Sequence, residues 1–217
     1  MKQGKSEVII VLDRSGSMST IKSDMEGGFK TFLDKQKAEP GECFVSLYQF
    51  DNEYEAVFEN KNINEVNEIS LTPRGMTALL DAIGKTTNSV GERLAKTPEE
   101  DRPETVIVAV ITDGLENSSR EFSREKVKEL VEHQSSNYNW RYVFMGANQD
   151  AIFNGKGFGF SAGTSLSYGT SNQAISGAFQ ALASGVSCMR SYTGVYSFSK
   201  NERSAAMGAN IYSVPNP

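Results

Sequence analysis

The sequence predicts an α/β protein: a doubly wound, mostly parallel sheet with one antiparallel edge strand and helices on both faces. Three observations carry this. Four runs are apolar almost throughout and rich in β-branched residues, at 7–12 (EVIIVL), 43–50 (CFVSLYQF), 105–111 (TVIVAVI) and 140–145 (WRYVFM); such runs suit strands covered on both faces. Between them lie segments whose apolar residues recur at helical spacing. Strand and helix therefore alternate, and right-handed crossovers turn that alternation into a layered sandwich.

Each element follows in order. After the first strand, Ile21, Met25, Phe29, Phe32 and Leu33 share one helical face. Gly27 and Gly28 interrupt it at a cost of about 1 kcal/mol each against alanine, which close packing against the sheet or a kink would explain. The second strand meets Asp51-Asn52-Glu53 and then YEAVFE, a connection so short that the chain must fold back as a hairpin, with the antiparallel edge strand near 54–59. Leu79, Leu80, Ile83, Thr87, Val90 and Leu94 define a helix starting near Ala78, and Val127, Leu130 and Val131 define the next. Residues 154–163 are glycine-rich and read as a flexible loop; 160–168 alternates weakly, as a last strand would. Ile175, Ala178, Phe179, Leu182, Val186 and Met189 form the cleanest helical stripe. No linker divides the chain, so residues 1–192 read as one domain and 193–217 as a tail, poorly ordered or packed as a strap.

A chain of 217 residues buries a proper core, and 38% hydrophobic with 23% charged residues is ordinary for a globular protein. The net charge of −5 argues against a nucleic-acid footprint and against docking on anionic membranes. No stretch approaches the ~18 apolar residues of a membrane span, and the first apolar run, bracketed by Glu7 and Asp13, is too short for a signal-peptide core. Cys43 and Cys188 favour free thiols in a reducing compartment, so an intracellular, cytoplasmic protein is expected. One histidine and two scattered cysteines argue against zinc.

In a doubly wound sheet, ligands bind beyond the carboxyl ends of the strands. There the first strand ends in Asp13-Arg14-Ser15-Gly16-Ser17, the 105–111 run ends in Thr112-Asp113-Gly114, and a third loop, TPRGMT, brings Thr77 to the start of a helix. Alternate residues of an extended exit point to one side, so Asp13, Ser15 and Ser17 can face a single ion. Carboxylates and hydroxyls suit a hard divalent cation. Calcium takes ~6–8 oxygens, whereas magnesium keeps several waters; two acids and three hydroxyls fit magnesium, or manganese, better.

The residues DRSGSM at 13–18, PRGMTALLDAI around Thr77 and ITDG at 111–114 resemble the von Willebrand factor type A (vWA) domain. Its metal-ion-dependent adhesion site follows the pattern D-x-S-x-S, a distant threonine and a distant aspartate. Asp13, Ser15, Ser17, Thr77 and Asp113 match it in order. The resemblance implies that these five hold the metal and that an open coordination position accepts an Asp or Glu of a partner protein. MGANQDA at 145–151 and the YGTS preceding the last helix make the chain look most like the stand-alone bacterial and phage versions. A protein-interaction module rather than an enzyme is the implied function.

Two rival readings bear on the same residues. Asp13, Ser15 and Ser17 taken singly could cap a turn or the helix near Met18. Alternatively, Asp13 could be the nucleophile of a magnesium-dependent phosphatase or phosphotransferase. That chemistry wants a second carboxylate at position 15, where this chain has Ser15. No G-x-S-x-G surrounds either serine, and His133 lies on a polar helix face. Arg14 and Arg74 flank the site, to attract a carboxylate ligand or simply to reach solvent. Glu116 and Asn117 read as a solvated loop, and so do 99–101. The GKGFG run at 155–159 lacks the context of a phosphate-binding loop.

Overall fold

The computed structural model describes residues 1–147, 149–191 and 194–209. Six strands form one sheet: β1 (Lys2–Asp13), β2 (Glu42–Phe50), β3 (Tyr54–Asn62), β4 (Pro103–Thr112), β5 (Arg141–Ala147) and β6 (Ser165–Tyr168). Six helices join or cover them: α1 (Lys22–Ala38), α2 (Leu79–Lys96), α3 (Arg124–Tyr138), α4 (Ala151–Gly157), α5 (Asn172–Ser191) and α6 (Lys200–Ala206). The strand order is β3-β2-β1-β4-β5-β6, and every pairing is parallel except β2 with β3. The expected fold class, with its single antiparallel edge, is the observed one.

The pleat divides the core into two layers. Val8, Ile10 and Leu12 of β1 face α1 and α5, together with Phe29, Phe32, Phe179 and Leu182. Ile9 and Val11 face the opposite side, against α2 and α3 through Leu79, Ile83, Val90, Val127 and Val131. This two-sided burial is why the strands read as unbroken apolar runs. Gly28 lets α1 approach α5: a Cβ there would run into the Phe179 ring, so the close packing is against a helix rather than the sheet.

One segment departs from the sequence reading, and part of the expected tail is seen packed on the sheet. The glycine-rich stretch is not wholly loop, because 151–157 forms α4. The Asp150 carboxylate caps it by accepting from the Phe153 amide at 2.9 Å, and the buried Gly155 fits where a side chain would collide with the Ser165 hydroxyl. Beyond residue 194, Phe198 is buried and Ser199 opens α6 with a capping box to Glu202. Arg203 Nη1 ties α6 to the sheet by donating to the Ser165 carbonyl at 2.7 Å. The tail expectation at 193 and 210–217 falls outside the described residues, as do Tyr192 and Asn148. Among the described residues, no helix is long and apolar enough to cross a membrane.

The chain builds β1, β2 and β3 toward one edge and then β4, β5 and β6 toward the other. Its switch point lies between β1 and β4, whose register pairs Leu12 with Ile111. A doubly wound sheet opens its ligand crevice at such a point. The residues that leave it are Asp13 and Asp113.

Candidate metal centre

Asp13 ends β1 with no solvent exposure. Its Oδ1 accepts from the Ser15 amide at 2.6 Å, and its Oδ2 accepts from the Thr112 hydroxyl, also at 2.6 Å. The Thr112 hydroxyl has one proton, which the short contact assigns to Asp13. It in turn accepts from the Gly114 amide at 3.1 Å. The parallel register makes this possible, since Thr112 is the β4 residue laid beside the end of β1.

The chain then turns back across the edge. Ser15 and Ser17 lie 3.1 Å apart, oxygen to oxygen, and the Ser17 hydroxyl donates to Asp113 Oδ1 at 2.6 Å. Neither serine caps a helix with its side chain, either at the short turn Gly16–Thr20 or at α1. The capping reading therefore fails for the two serines, whose hydroxyls are left for the edge, but holds for Asp13, which caps the turn through the Ser15 amide. Met18, fully buried, anchors the turn beneath them.

Thr77 arrives on the third loop, buried and fastened at both backbone atoms. Its amide donates to Asn117 Oδ1 at 2.9 Å, and its carbonyl accepts from the Asn117 amide at 3.1 Å. Its hydroxyl lies against Gly114, where an added Cβ would come within 3.0 Å of Thr77 Oγ1. Gly114 is thus more than a turn residue, for it keeps the space beside Asp113 open for the threonine. The structure brings Asp13, Ser15, Ser17 and Asp113 into one hydrogen-bonded chain, and Thr77 lies beside it against Gly114 without a hydrogen bond to it.

A second network holds the loops in register. Gly16 donates to the Gly75 carbonyl at 3.2 Å, Arg74 to the Arg14 carbonyl at 2.9 Å, and Ala78 to the Asp51 carbonyl at 2.9 Å. The Asp51 carboxylate is fully buried and accepts from Arg14 Nε at 3.1 Å and from Arg74 Nε at 2.8 Å. Arg14 also pairs with Glu55, and Arg74 with Glu53. Both arginines therefore face the β2–β3 hairpin, neither waiting for a ligand nor simply reaching solvent. Burial pushes the Asp51 carboxyl up, but hydrogen bonds from the Glu53 amide and Arg74 and the two guanidinium charges outweigh it, leaving it below the usual range. Glu116 is not a solvated loop residue either. It accepts from the Leu80 amide at the start of α2 and from the Ser118 and Ser119 amides.

With the arginines committed elsewhere, the edge keeps uncompensated negative charge. Burial pushes Asp13 up to about 6; hydrogen bonds from Thr112 and Ser15 pull back against it, and the charge of Asp113 adds to it. Burial likewise raises Asp113, against the hydrogen bond from Ser17. Two carboxylates that resist ionisation beside three neutral oxygens form a donor set that a hard cation would relieve. Among the described residues, no three His, Cys, Asp or Glu side chains converge as a metal cluster. The residues fit a site built on hydroxyls, not one built on thiolate or imidazole.

A six-stranded sheet in the order 3-2-1-4-5-6, antiparallel only at β3, is consistent with a Rossmann-like von Willebrand factor type A fold. No protein-family model and no curated protein matches the sequence, so solved structures make the comparison. Proximal thread matrix protein 1 from the mussel byssus, in its structure with a zinc-occupied MIDAS motif, superposes with a TM-score of 0.59 at 16% identity, over 85% of this chain and 46% of its own. The type V pili tip protein Mfa5 of Porphyromonas gingivalis contributes a vWF domain that matches at 0.56 and 12%, over 83% of this chain and 94% of that one. The ArnB paralog VWA2 of Sulfolobus acidocaldarius matches at 0.53 and 20%, over 82% and 44%. The chain thus spans under half the length of the mussel and archaeal proteins.

Proposed function

We propose that this protein is a metal-dependent protein-interaction module. In this reading Asp13, Ser15, Ser17, Thr77 and Asp113 hold a magnesium or manganese ion at the sheet edge and a partner supplies an Asp or Glu to it. The single observation that carries the reading is geometric: the buried Asp13 and half-buried Asp113 carboxylates are hydrogen-bonded among the Ser15, Ser17 and Thr112 groups, with no Lys or Arg of the described residues paired to either. The ion, when bound, supplies positive charge that an external carboxylate can share. Asp13 and Asp113 provide the negative charge, Ser15 and Ser17 the hydroxyls of the first loop, and Thr77 the hydroxyl of the third. With only two acids, the site retains attraction for a further anion. The mussel protein's zinc-occupied MIDAS supports a divalent ion in this fold, though not its identity.

An enzymatic role is the weaker reading. A phosphatase with an aspartate nucleophile needs a second carboxylate two residues after it to protonate the leaving group, and Ser15 stands there. Two free cysteines are in keeping with an intracellular setting. The test is affinity capture from a cell extract in magnesium and in chelator, with Asp113→Ala as control. Proteins retained by the parent only in magnesium, and lost with the variant, are the expected outcome. Capture indifferent to chelator would refute the metal-dependent reading.

A further inference from the structure

Beside the metal edge opens a cleft of about 520 Å3, walled by the tip of the β2–β3 hairpin, the residues before α2 and the loop that follows β4. That volume lies in the range of ligand sites. The cleft begins where the candidate metal centre ends. Met76 and Ala78, on its wall, flank Thr77, and Ser118 follows the asparagine that fastens Thr77.

Most of its charge is already spent. Lys85 pairs with Glu121 at 2.6 Å and Glu53 with Arg74. Asp81 accepts from the Arg120, Glu121 and Phe122 amides, each at 2.9 Å. The Arg120 guanidinium is left as the lining charge without a partner among the described residues. The second unspent group is the Ser118 hydroxyl, which is buried with no hydrogen-bond partner among the described residues. Buried hydroxyls are nearly always paired, so one left over on a cleft wall marks a place for an acceptor. Asn52 is the other polar residue of the lining, and the remainder is apolar, including Ala82, the ring of Tyr54, and Met76, whose side chain is half exposed.

We propose that this cleft is a second subsite for the partner whose carboxylate the metal edge takes. It receives the extended segment flanking that carboxylate, with an apolar side chain over Met76 and Tyr54 and a carbonyl or carboxylate oxygen at Arg120 and Ser118. The proposal rests on the metal-edge reading above. Continuity with Thr77 and the one uncompensated positive charge favour an acidic peptide over a free small molecule.

The test uses N-acetylated, C-amidated heptapeptides with a central aspartate flanked by leucine, alanine or lysine, titrated by fluorescence anisotropy in magnesium and in chelator. N-acetyl-aspartamide serves as the bare carboxylate. Arg120→Glu and Met76→Asp both alter exposed side chains, and their melting curves and magnesium responses should match the parent. The expected result is metal-dependent binding of the leucine-flanked peptide, weakened at least tenfold by either variant, with lysine-flanked peptides weaker throughout. Equal peptide affinity in parent and variants would overturn the subsite and leave the metal edge standing. Binding of N-acetyl-aspartamide in magnesium with no gain from any flanking residue would do the same. If neither peptide nor N-acetyl-aspartamide binds in magnesium, the metal-edge reading falls and the subsite with it.

Discussion

Replacing Asp13 by asparagine should stabilise the metal-free protein near neutral pH, although it removes a residue at the centre of the site. Burial lifts the Asp13 carboxyl from 3.8 to about 6, so keeping it ionised above that pH costs the folded state about 3 kcal/mol. Asparagine retains one oxygen for the Ser15 amide. The Thr112 hydroxyl can rotate to accept from the new amide group while donating to the Gly114 carbonyl, already 3.1 Å away. Little hydrogen bonding is lost, and a net gain of about 2 kcal/mol remains. The pH dependence fixes the sign. An acid whose folded pKa is raised carries no penalty below about pH 4, where it is protonated in both states. The penalty grows as pH rises through about 6 and is complete above it. Urea denaturation of metal-free parent and variant from about pH 4 to about pH 8 should show a stability gap that is near zero at the acid end and opens toward neutrality. A gap that stays constant with pH, or a variant less stable than the parent at the alkaline end, would refute the assignment of strained charge to Asp13.

Three further outcomes follow from the same geometry. Thr77→Ala should change metal-free stability by about 1 kcal/mol or less, because Asn117 holds the loop through the backbone, yet it should largely abolish the rise in melting temperature on adding magnesium. Asp51→Asn leaves the Arg14 side chain, 7% exposed, without its buried counter-charge; a loss of about 3–5 kcal/mol in urea denaturation is expected, whether or not metal is present. Assayed with p-nitrophenyl phosphate and magnesium, the parent should turn over no faster than Asp13→Asn, and any activity abolished by that substitution would restore the phosphatase reading.

The parts legible in the sequence were those whose signal is local. Residues 8–12 of β1 and 106–111 of β4 are uninterrupted apolar runs because both faces are covered there, and an aspartate follows each run within two residues, so the carboxyl ends of these strands marked themselves. The spacing of Asp13, Ser15 and Ser17 is likewise a property of one short segment. What stayed hidden depends on partners far along the chain. Thr112 reads as the last residue of a strand, and only the β1–β4 register places its hydroxyl on Asp13. Arg14 looks free until the hairpin 37 residues later brings Asp51 beneath it. Asn117 and Glu116 look like loop residues because their acceptors serve the amides of Thr77 and Leu80, on another segment. α4 was masked by glycines chosen for tight packing rather than for flexibility. α6 did carry a local signal, the serine and glutamate spaced as a capping box at Ser199 and Glu202. It is short, with a single buried residue, Ala206, and so has almost no apolar periodicity.

The central claim is that one divalent ion sits where the three loops converge, and an anomalous difference map from crystals soaked in manganese tests it most directly. The account predicts a single strong peak bounded by the Ser15, Ser17 and Thr77 hydroxyls and the Asp13 and Asp113 carboxylates, absent from crystals of Asp13→Asn. Density for manganese elsewhere, with none at this edge, would contradict it.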